Sequence, residues 1–84
     1  MKKTINVNLG GMAFIMDENA FEALHNYLEA LKRKFSNQTE RDEIMSDIES
    51  RIAEMLNQQL SGRKEVISAA DVEAIIAQIG RPED

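Results

Sequence analysis

The chain has 84 residues, the size of one small domain, and we treat residues 1–84 as a single domain. Its formal charge of −5 disfavours nucleic acid and anionic membranes as partners, because both are bound through lysine and arginine. The lack of cysteine excludes disulfides, thiol catalysis and thiolate zinc sites, and no apolar run reaches the roughly 18 residues of a membrane span. We therefore expect a soluble segment that does not itself cross a membrane.

The first element predicted is a β-hairpin with its turn at Gly10-Gly11, because a glycine pair accepts the positive φ angles of a primed two-residue turn. In that register Leu9 lies opposite Met12. In that register six apolar side chains share one face of the hairpin: Ile5, Val7, Leu9, Met12, Phe14 and Met16. A phosphate-binding loop is disfavoured, because a strand follows the glycines and no Lys-Ser or Lys-Thr does.

Two helices are predicted next, and the short polar connection between them makes them antiparallel neighbours. The first is expected over about 18–35, capped by Asp17, with one apolar stripe along its length. The stripe consists of Phe21, Leu24, Leu28, Leu31 and Phe35. The second is expected to start at a capping-box variant over 39–42 and to end near Leu60, with Ser61-Gly62 as its terminator.

The last part of the chain predicts a short helix. Ser68 and Asp71 have the spacing of a capping-box variant, and Gly80 and Pro82 are expected to end the helix. Its inward residues are expected to be Val72, Ile75, Ile76 and Ile79. The β-branched residues before it are compatible with a third short strand near 64–67. The fold class is therefore α+β: an N-terminal β-hairpin packed on an antiparallel helix pair, with a short C-terminal helix.

No group of residues has the spacing typical of catalysis or metal binding. Glu22 and His25 have the one-turn spacing of carboxylate-bridged metal bundles, but such sites need two of these motifs and further carboxylates. The acids of the second helix form neither a calcium loop nor an acid–base pair in a cleft, and a solvated helix face explains them. They are Glu40, Asp42, Glu43, Asp47, Glu49 and Glu54. We expect no enzymatic activity, no catalytic residue, no metal and no cofactor.

The second helix has more apolar width than one neighbouring helix can cover. Ile44 with Met45, and Met55 with Leu56, cannot all face the first helix, so some of this surface is left for the third helix or for a second copy. The interaction surface is expected to include Ile44, Met45, Ile48, Ile52, Met55 and Leu56. The expected partner is another protein or a second copy, in a homodimer through the second helix.

Several separated motifs resemble the N-terminal soluble segment of PspC-domain (phage shock protein C) proteins of Bacteroidetes-type bacteria. They are residues 3–11, 42–44, 47–54, 62–63, 70–73 and 80–84. The resemblance implies a signalling module on the cytoplasmic side of the inner membrane, in a membrane-anchored parent protein of the envelope stress response. It implies no active residues.

Two functions follow as expectations. The first is a non-enzymatic interaction or regulatory domain, which the PspC resemblance would make part of a stress-responsive transcriptional regulator. The alternative is a DNA-binding transcriptional regulator domain, whose recognition helix would expose basic or amide side chains in a basic surround. The third helix instead offers Asp71, Glu73 and Gln78, so the first function is favoured.

Overall fold

A computed structural model describes residues 3–60 and 65–80 as two strands and three helices. The elements are β1 (Thr4–Leu9), β2 (Met12–Asp17), α1 (Glu18–Lys32), α2 (Gln38–Gln59) and α3 (Ala69–Ile79). The predicted α+β class, with a hairpin before three helices, is confirmed. The expected terminators at Ser61-Gly62 and Pro82, and the start of the expected third strand at Lys64, lie outside the described residues.

The hairpin has the predicted register. Leu9 pairs with Met12 across the turn, and the pairing continues to Thr4 and Asp17. Gly10 and Gly11 have φ angles of 57° and 81°, the positive values that a primed turn requires at both positions. The six apolar residues of the predicted face are buried or half-buried, whereas Thr4, Asn6, Asn8, Ala13 and Ile15 on the opposite face are exposed.

The expected third strand near 64–67 is wrong over its described part, where only Ile67 joins the sheet. Ile67 forms an isolated parallel bridge with Met16. Its N–H donates to the carbonyl of Ile15 at 2.9 Å, and its carbonyl accepts from the N–H of Asp17 at 3.0 Å. The chain leaves the sheet at once because Ser68 is already the N-cap of α3.

Two of the three helix starts match the predicted caps. The Asp17 carboxylate accepts a hydrogen bond from the N–H of Ala20 at 2.7 Å at the start of α1. At α3 a complete capping box forms: the Ser68 hydroxyl accepts from the N–H of Asp71, and the Asp71 carboxylate accepts from the N–H of Ser68. Both motifs are local in sequence, which is why the sequence predicts them well.

The expected connection between α1 and α2 differs from the observed one. α1 ends at Lys32, three residues before Phe35, and α2 begins at Gln38. Its N-cap is Asn37, whose side-chain oxygen accepts from the N–H of Glu40 at 3.0 Å, so the predicted box at Thr39 is wrong. Asparagine caps a helix at least as well as threonine, and here it lies two residues earlier.

The core lies between the apolar face of the hairpin and all three helices. Its buried members come from every element: Leu9, Phe14, Met16, Ala20, Leu24, Tyr27, Ile52, Ala53, Leu56, Ile67, Val72, Ile75 and Ile76. α1 packs more extensively on α3 than on α2, so α3 is a principal partner and not a peripheral addition to a helix pair. Three of its four predicted inward residues are almost fully buried, and Ile79 packs against the edge of the core.

Candidate interaction surface

The six residues expected at the interaction surface divide into two sets. Met45, Ile52 and Leu56 are buried inside the domain, with 4%, 1% and 0% of their surface exposed. They cannot contribute to a surface, because their side chains already face the core or the α1 side of the domain. The other three, Ile44, Ile48 and Met55, are half-buried. Of the six residues expected at the interaction surface, only these three are accessible to a partner.

These three residues form a stripe along one flank of α2, which we call the α2 flank. Ile44 and Ile48 are four residues apart and Met55 follows after seven, spacings that keep side chains on one side of a helix. Ile48 and Met55 pack against the edge of the core. The α2 flank is therefore the border between the buried face of α2 and its solvent face.

α3 accompanies α2 near its C-terminal end. A shallow groove of about 160 Å³ between them is lined by Met55, Gln58 and Gln59 from α2 and by Ile75 and Gln78 from α3. α3 has 11 residues and α2 has 22, so α3 can cover only about half of the length of α2. Ile44 and Ile48 lie toward the other end.

A charged, open groove lies between the end of α1 and the start of α2. It has a volume of about 610 Å³ and is lined by Glu29, Lys32, Arg33, Arg41, Asp42, Met45, Ser46 and Glu49. Three cationic and three anionic side chains line it, so the groove has no net formal charge. The groove places the end of α1 beside the start of α2, which the short connection between the two helices requires.

One carboxyl group in this groove has a shifted pKa. The Lys32 ammonium lies 3.2 Å from the Glu29 carboxylate, and this hydrogen bond and its attraction lower the pKa of Glu29, with smaller contributions from His25 and Arg33. Both side chains are more than two-fifths exposed, so solvent screens the pair. The stabilisation is present above the ordinary glutamate pKa and is lost as the pH falls through the lowered value.

His25 and Glu22 are both exposed on α1. The His25 ring stacks on Phe21 with a centroid distance of 5.7 Å and an interplanar angle of 18°. Within residues 3–60 and 65–80, no three His, Asp or Glu side chains come together as a metal site would require. The acids of α2 are exposed except Glu49, which is half-buried where it lines the groove between α1 and α2. Asp47 lies 3.9 Å from Arg51, one turn further along α2.

The hairpin turn touches α2 directly, a contact that the sequence does not predict. A Cβ atom added to Gly10 would lie 3.0 Å from the Cα of Ser50 and 3.1 Å from the Cβ of Ala53. Gly10 is therefore required twice, for its positive φ angle and for this close approach. The contact fixes the hairpin against the middle of α2.

Comparison with protein-family models matches residues 26–84 to the family described as HAAS. The match covers more than half of the chain. The chain belongs to the HAAS family. HAAS domains are small regulatory or interaction domains.

This finding corrects the resemblance drawn from sequence motifs. HAAS is a different family from PspC, so assignment to phage shock protein C, with the stress-response role that the assignment implied, is wrong. The motifs behind it were mostly helix caps and acidic helix faces, which unrelated helical domains share. The HAAS match begins at Asn26 within α1, and the hairpin lies outside it.

The comparison with curated proteins gives no match, and the comparison with solved structures gives none. Among the described residues of the HAAS protein, no helix combines the length and the apolar character needed to cross a membrane.

Sequence reasoning missed Tyr27, which links two ends of the HAAS domain. Its ring is buried, and its hydroxyl donates a hydrogen bond to the carbonyl of Gly80 at 2.7 Å. Tyr27 falls three residues after Leu24 and so also lies on the apolar side of α1. That spacing is the signal that could have identified it.

Proposed function

We propose that this HAAS domain is a non-enzymatic interaction and regulatory domain that binds another protein through the α2 flank. The observation that carries the proposal is the HAAS match over residues 26–84, because this family consists of small regulatory or interaction domains. The matched residues include all of α2 and α3.

The α2 flank is favoured as the binding surface because it combines apolar side chains with partial exposure. Ile44 and Ile48 lie on the half of α2 away from the groove shared with α3. A partner that covers them gains about 25 cal/mol of binding free energy for each Å² of apolar surface removed from water. The apolar centre of the interface would then be these two residues and Met55.

The charges around the α2 flank indicate the chemistry of the partner. Glu40, Glu43 and Asp47 are exposed on the N-terminal half of α2, and the whole chain carries a net charge of −5. The cations beside them are fewer: Arg41 is half-buried, and Arg51 lies 3.9 Å from Asp47. Charge complementarity raises the association rate and excludes wrong partners. A partner with apolar side chains inside a basic rim fits this surface best.

The same charges argue against the homodimer through the second helix that the sequence suggested. Two copies would bring like charges together around a narrow stripe, and three of the six expected residues are already used in the core. A stable interface usually buries about 800 Å² on each partner. Binding to a different protein is therefore preferred for this surface.

The ionisable groups support a non-enzymatic role. Catalytic acids and bases are usually buried or strongly perturbed by their neighbours. The shifted carboxyl group described above, Glu29, lies in an open groove, and its pKa is lowered by a solvent-exposed lysine. Such a pair is typical of a surface salt bridge on a helix.

The test is a binding measurement with a partner captured by cross-linking in the native cells and then purified. Titration calorimetry would compare the unmodified protein with Ile44→Glu, which places a carboxylate in the proposed interface. We expect affinity to fall about tenfold or more, since a charge buried without a counter-ion is costly. Ile15→Glu is the matched control, because Ile15 is 43% exposed on the hairpin, outside α2.

Equal loss of affinity in both variants, or no loss in Ile44→Glu, would contradict the α2 flank as the binding surface. A gel shift with random duplex DNA tests the alternative of a DNA-binding regulator. We expect no shift at low salt, where non-specific binding to phosphates is strongest.

A further inference from the structure

Among the residues that the structure describes, none pairs with the outer edge of β1. In an antiparallel pair, residues alternate between bonding to the partner strand and pointing their N–H and C=O groups away from it. The C=O of Ile15 and the N–H of Asp17 face away from β1 and bond to Ile67. Asn6 and Thr4 are their cross-strand partners, so the backbone N–H and C=O groups of these two residues face away from β2, at the opposite edge of the hairpin. Within residues 3–60 and 65–80, no backbone group bonds to the outward groups of Thr4, Asn6 or Asn8.

This edge also lacks the usual protection against strand pairing. Natural edge strands are commonly blocked by lysine, proline or a bulge. β1 has the sequence TINVNL, without a charged residue or a proline, in a chain that is 30% charged. Its pairing with β2 is regular over all six residues, without a bulge.

An apolar groove lies next to the open edge. It has a volume of about 200 Å³ and is lined by Val7, Asn8, Leu9, Phe21, Leu24, His25, Leu28 and Glu49. A strand added beside β1 would direct alternate side chains to the core side of the sheet, where this groove lies. Backbone hydrogen bonds and an apolar pocket are therefore available together.

We propose that this edge pairs with β1 of a second copy, giving a continuous four-stranded antiparallel sheet across a two-fold axis. Pairing centred on Asn6 places Asn6 opposite Asn6 and Thr4 opposite Asn8, all through outward-facing groups. Ile5 of each copy then lies opposite Val7 of the other, on the core side and beside the groove. Ile5 is half-buried in the single chain and gains an apolar neighbour.

The lack of charged residues in β1 favours a second copy of the chain as the strand that pairs with this edge. A protein with a net charge of −5 can pair with itself only where like charges do not meet, and β1 is an uncharged strand. The asparagine amides at the axis can each donate and accept, so they suit a self-paired position. The hairpin lies outside the HAAS match, so this inference is independent of the α2 flank.

Sedimentation equilibrium up to about 1 mM, near the weak limit of specific association, tests the proposal. We expect the unmodified protein to dimerise and Asn6→Pro to weaken dimerisation about tenfold or more, because two symmetric backbone hydrogen bonds are lost. The N–H of Asn6 points away from β2, so proline removes no bond of the hairpin. Ala13→Pro is the matched control, because Ala13 has the same outward orientation on β2.

A charge-reversal pair gives a second readout that does not depend on proline. Asn6→Lys and Asn6→Asp should each be weaker dimers alone, and an equimolar mixture should recover dimer as the mixed species. A monomer at all concentrations, equal loss in Ala13→Pro, or no recovery in the mixture would overturn the proposal. So would loss of the dimer in Ile44→Glu, since that result would place self-association on α2.

Discussion

At the scale of single residues, the most constrained position is Gly10. Its φ angle of 57° is accessible to other residues at a modest cost, but the missing side chain is also what allows the turn to touch α2. Gly11 has a similarly positive φ of 81°, yet an added Cβ there would meet no atom within 4 Å. A side chain at Gly11 would therefore bear only the backbone strain of a positive φ, whereas one at Gly10 would also collide with α2.

We predict that Gly10→Ala lowers the free energy of unfolding by about 2–4 kcal/mol, and Gly11→Ala by about 1–2 kcal/mol. Both variants bear the cost of positive φ, and only the first also forces apart the backbone of α2. Urea denaturation measures the difference. Equal losses would mean that the hairpin turn does not pack on α2 as described.

Tyr27 shows why some residues resist prediction from sequence. Its partner, the Gly80 carbonyl, is 53 residues away, and no local pattern connects them. The Ser68–Asp71 box and the Gly10-Gly11 turn are predicted correctly because all of their partners lie within four residues. The residues that sequence reasoning locates are thus those with short-range partners.

At the scale of elements, the start of α2 is the informative case. Asn37 and Thr39 are both good N-cap residues, and Thr39 also has an acid, Asp42, at the capping-box spacing of three residues. The structure uses Asn37, which begins the helix two residues earlier. Local propensity could not decide between them, because both caps give helices of nearly the same apolar stripe.

We predict that Asn37→Ala lowers the free energy of unfolding by about 1 kcal/mol, the usual cost of losing an N-cap side chain. Thr39→Ala should change it by less than about 0.5 kcal/mol, because Thr39 is an exposed residue inside the helix. Thermal or urea unfolding monitored by circular dichroism checks both. A larger loss in Thr39→Ala would restore the predicted box.

At the scale of the whole molecule, the protein is elongated, with principal dimensions of 40 × 22 × 21 Å. α2 is its longest element and spans about 33 Å at 1.5 Å per residue. The hairpin contacts α2 at its middle and α3 lies near its C-terminal end. This arrangement leaves Ile44 and Ile48 as the part of α2 best placed to meet another protein.

We predict that Leu56→Ala lowers the free energy of unfolding by about 2–5 kcal/mol, because Leu56 is fully buried where the hairpin and helices meet. A domain of this size has only roughly 4–13 kcal/mol in total, so the variant should lose a large part of its stability. Ile44→Ala is the comparison: because Ile44 is only half-buried, we expect it to lower the free energy of unfolding by about 1 kcal/mol. Calorimetry of both variants measures the contrast, and similar losses would place Ile44 in the core.

The fold class was predictable because each element has its own local signals. The candidate surface was only partly predictable, since a helical stripe cannot show which of its residues a distant element will cover. Leu56 and Met55 are neighbours in sequence, yet Leu56 is fully buried and Met55 is half-buried at the edge of the core. The family was not predictable from the motifs quoted, because caps and acidic faces report secondary structure and not ancestry.

The bridge between Met16 and Ile67 has a consequence for how the chain matures as it is synthesised. The hairpin emerges before the three helices, but the side of β2 that faces away from β1 and the core around Met16 remain incomplete until Ile67 has left the ribosome. α1 and α2 are synthesised before α3, so their apolar faces lack the cover of α3 during that time. The domain therefore reaches its native packing only after Ile67 and α3 have been synthesised, and a chain arrested before α3 would expose apolar surface to chaperones and proteases.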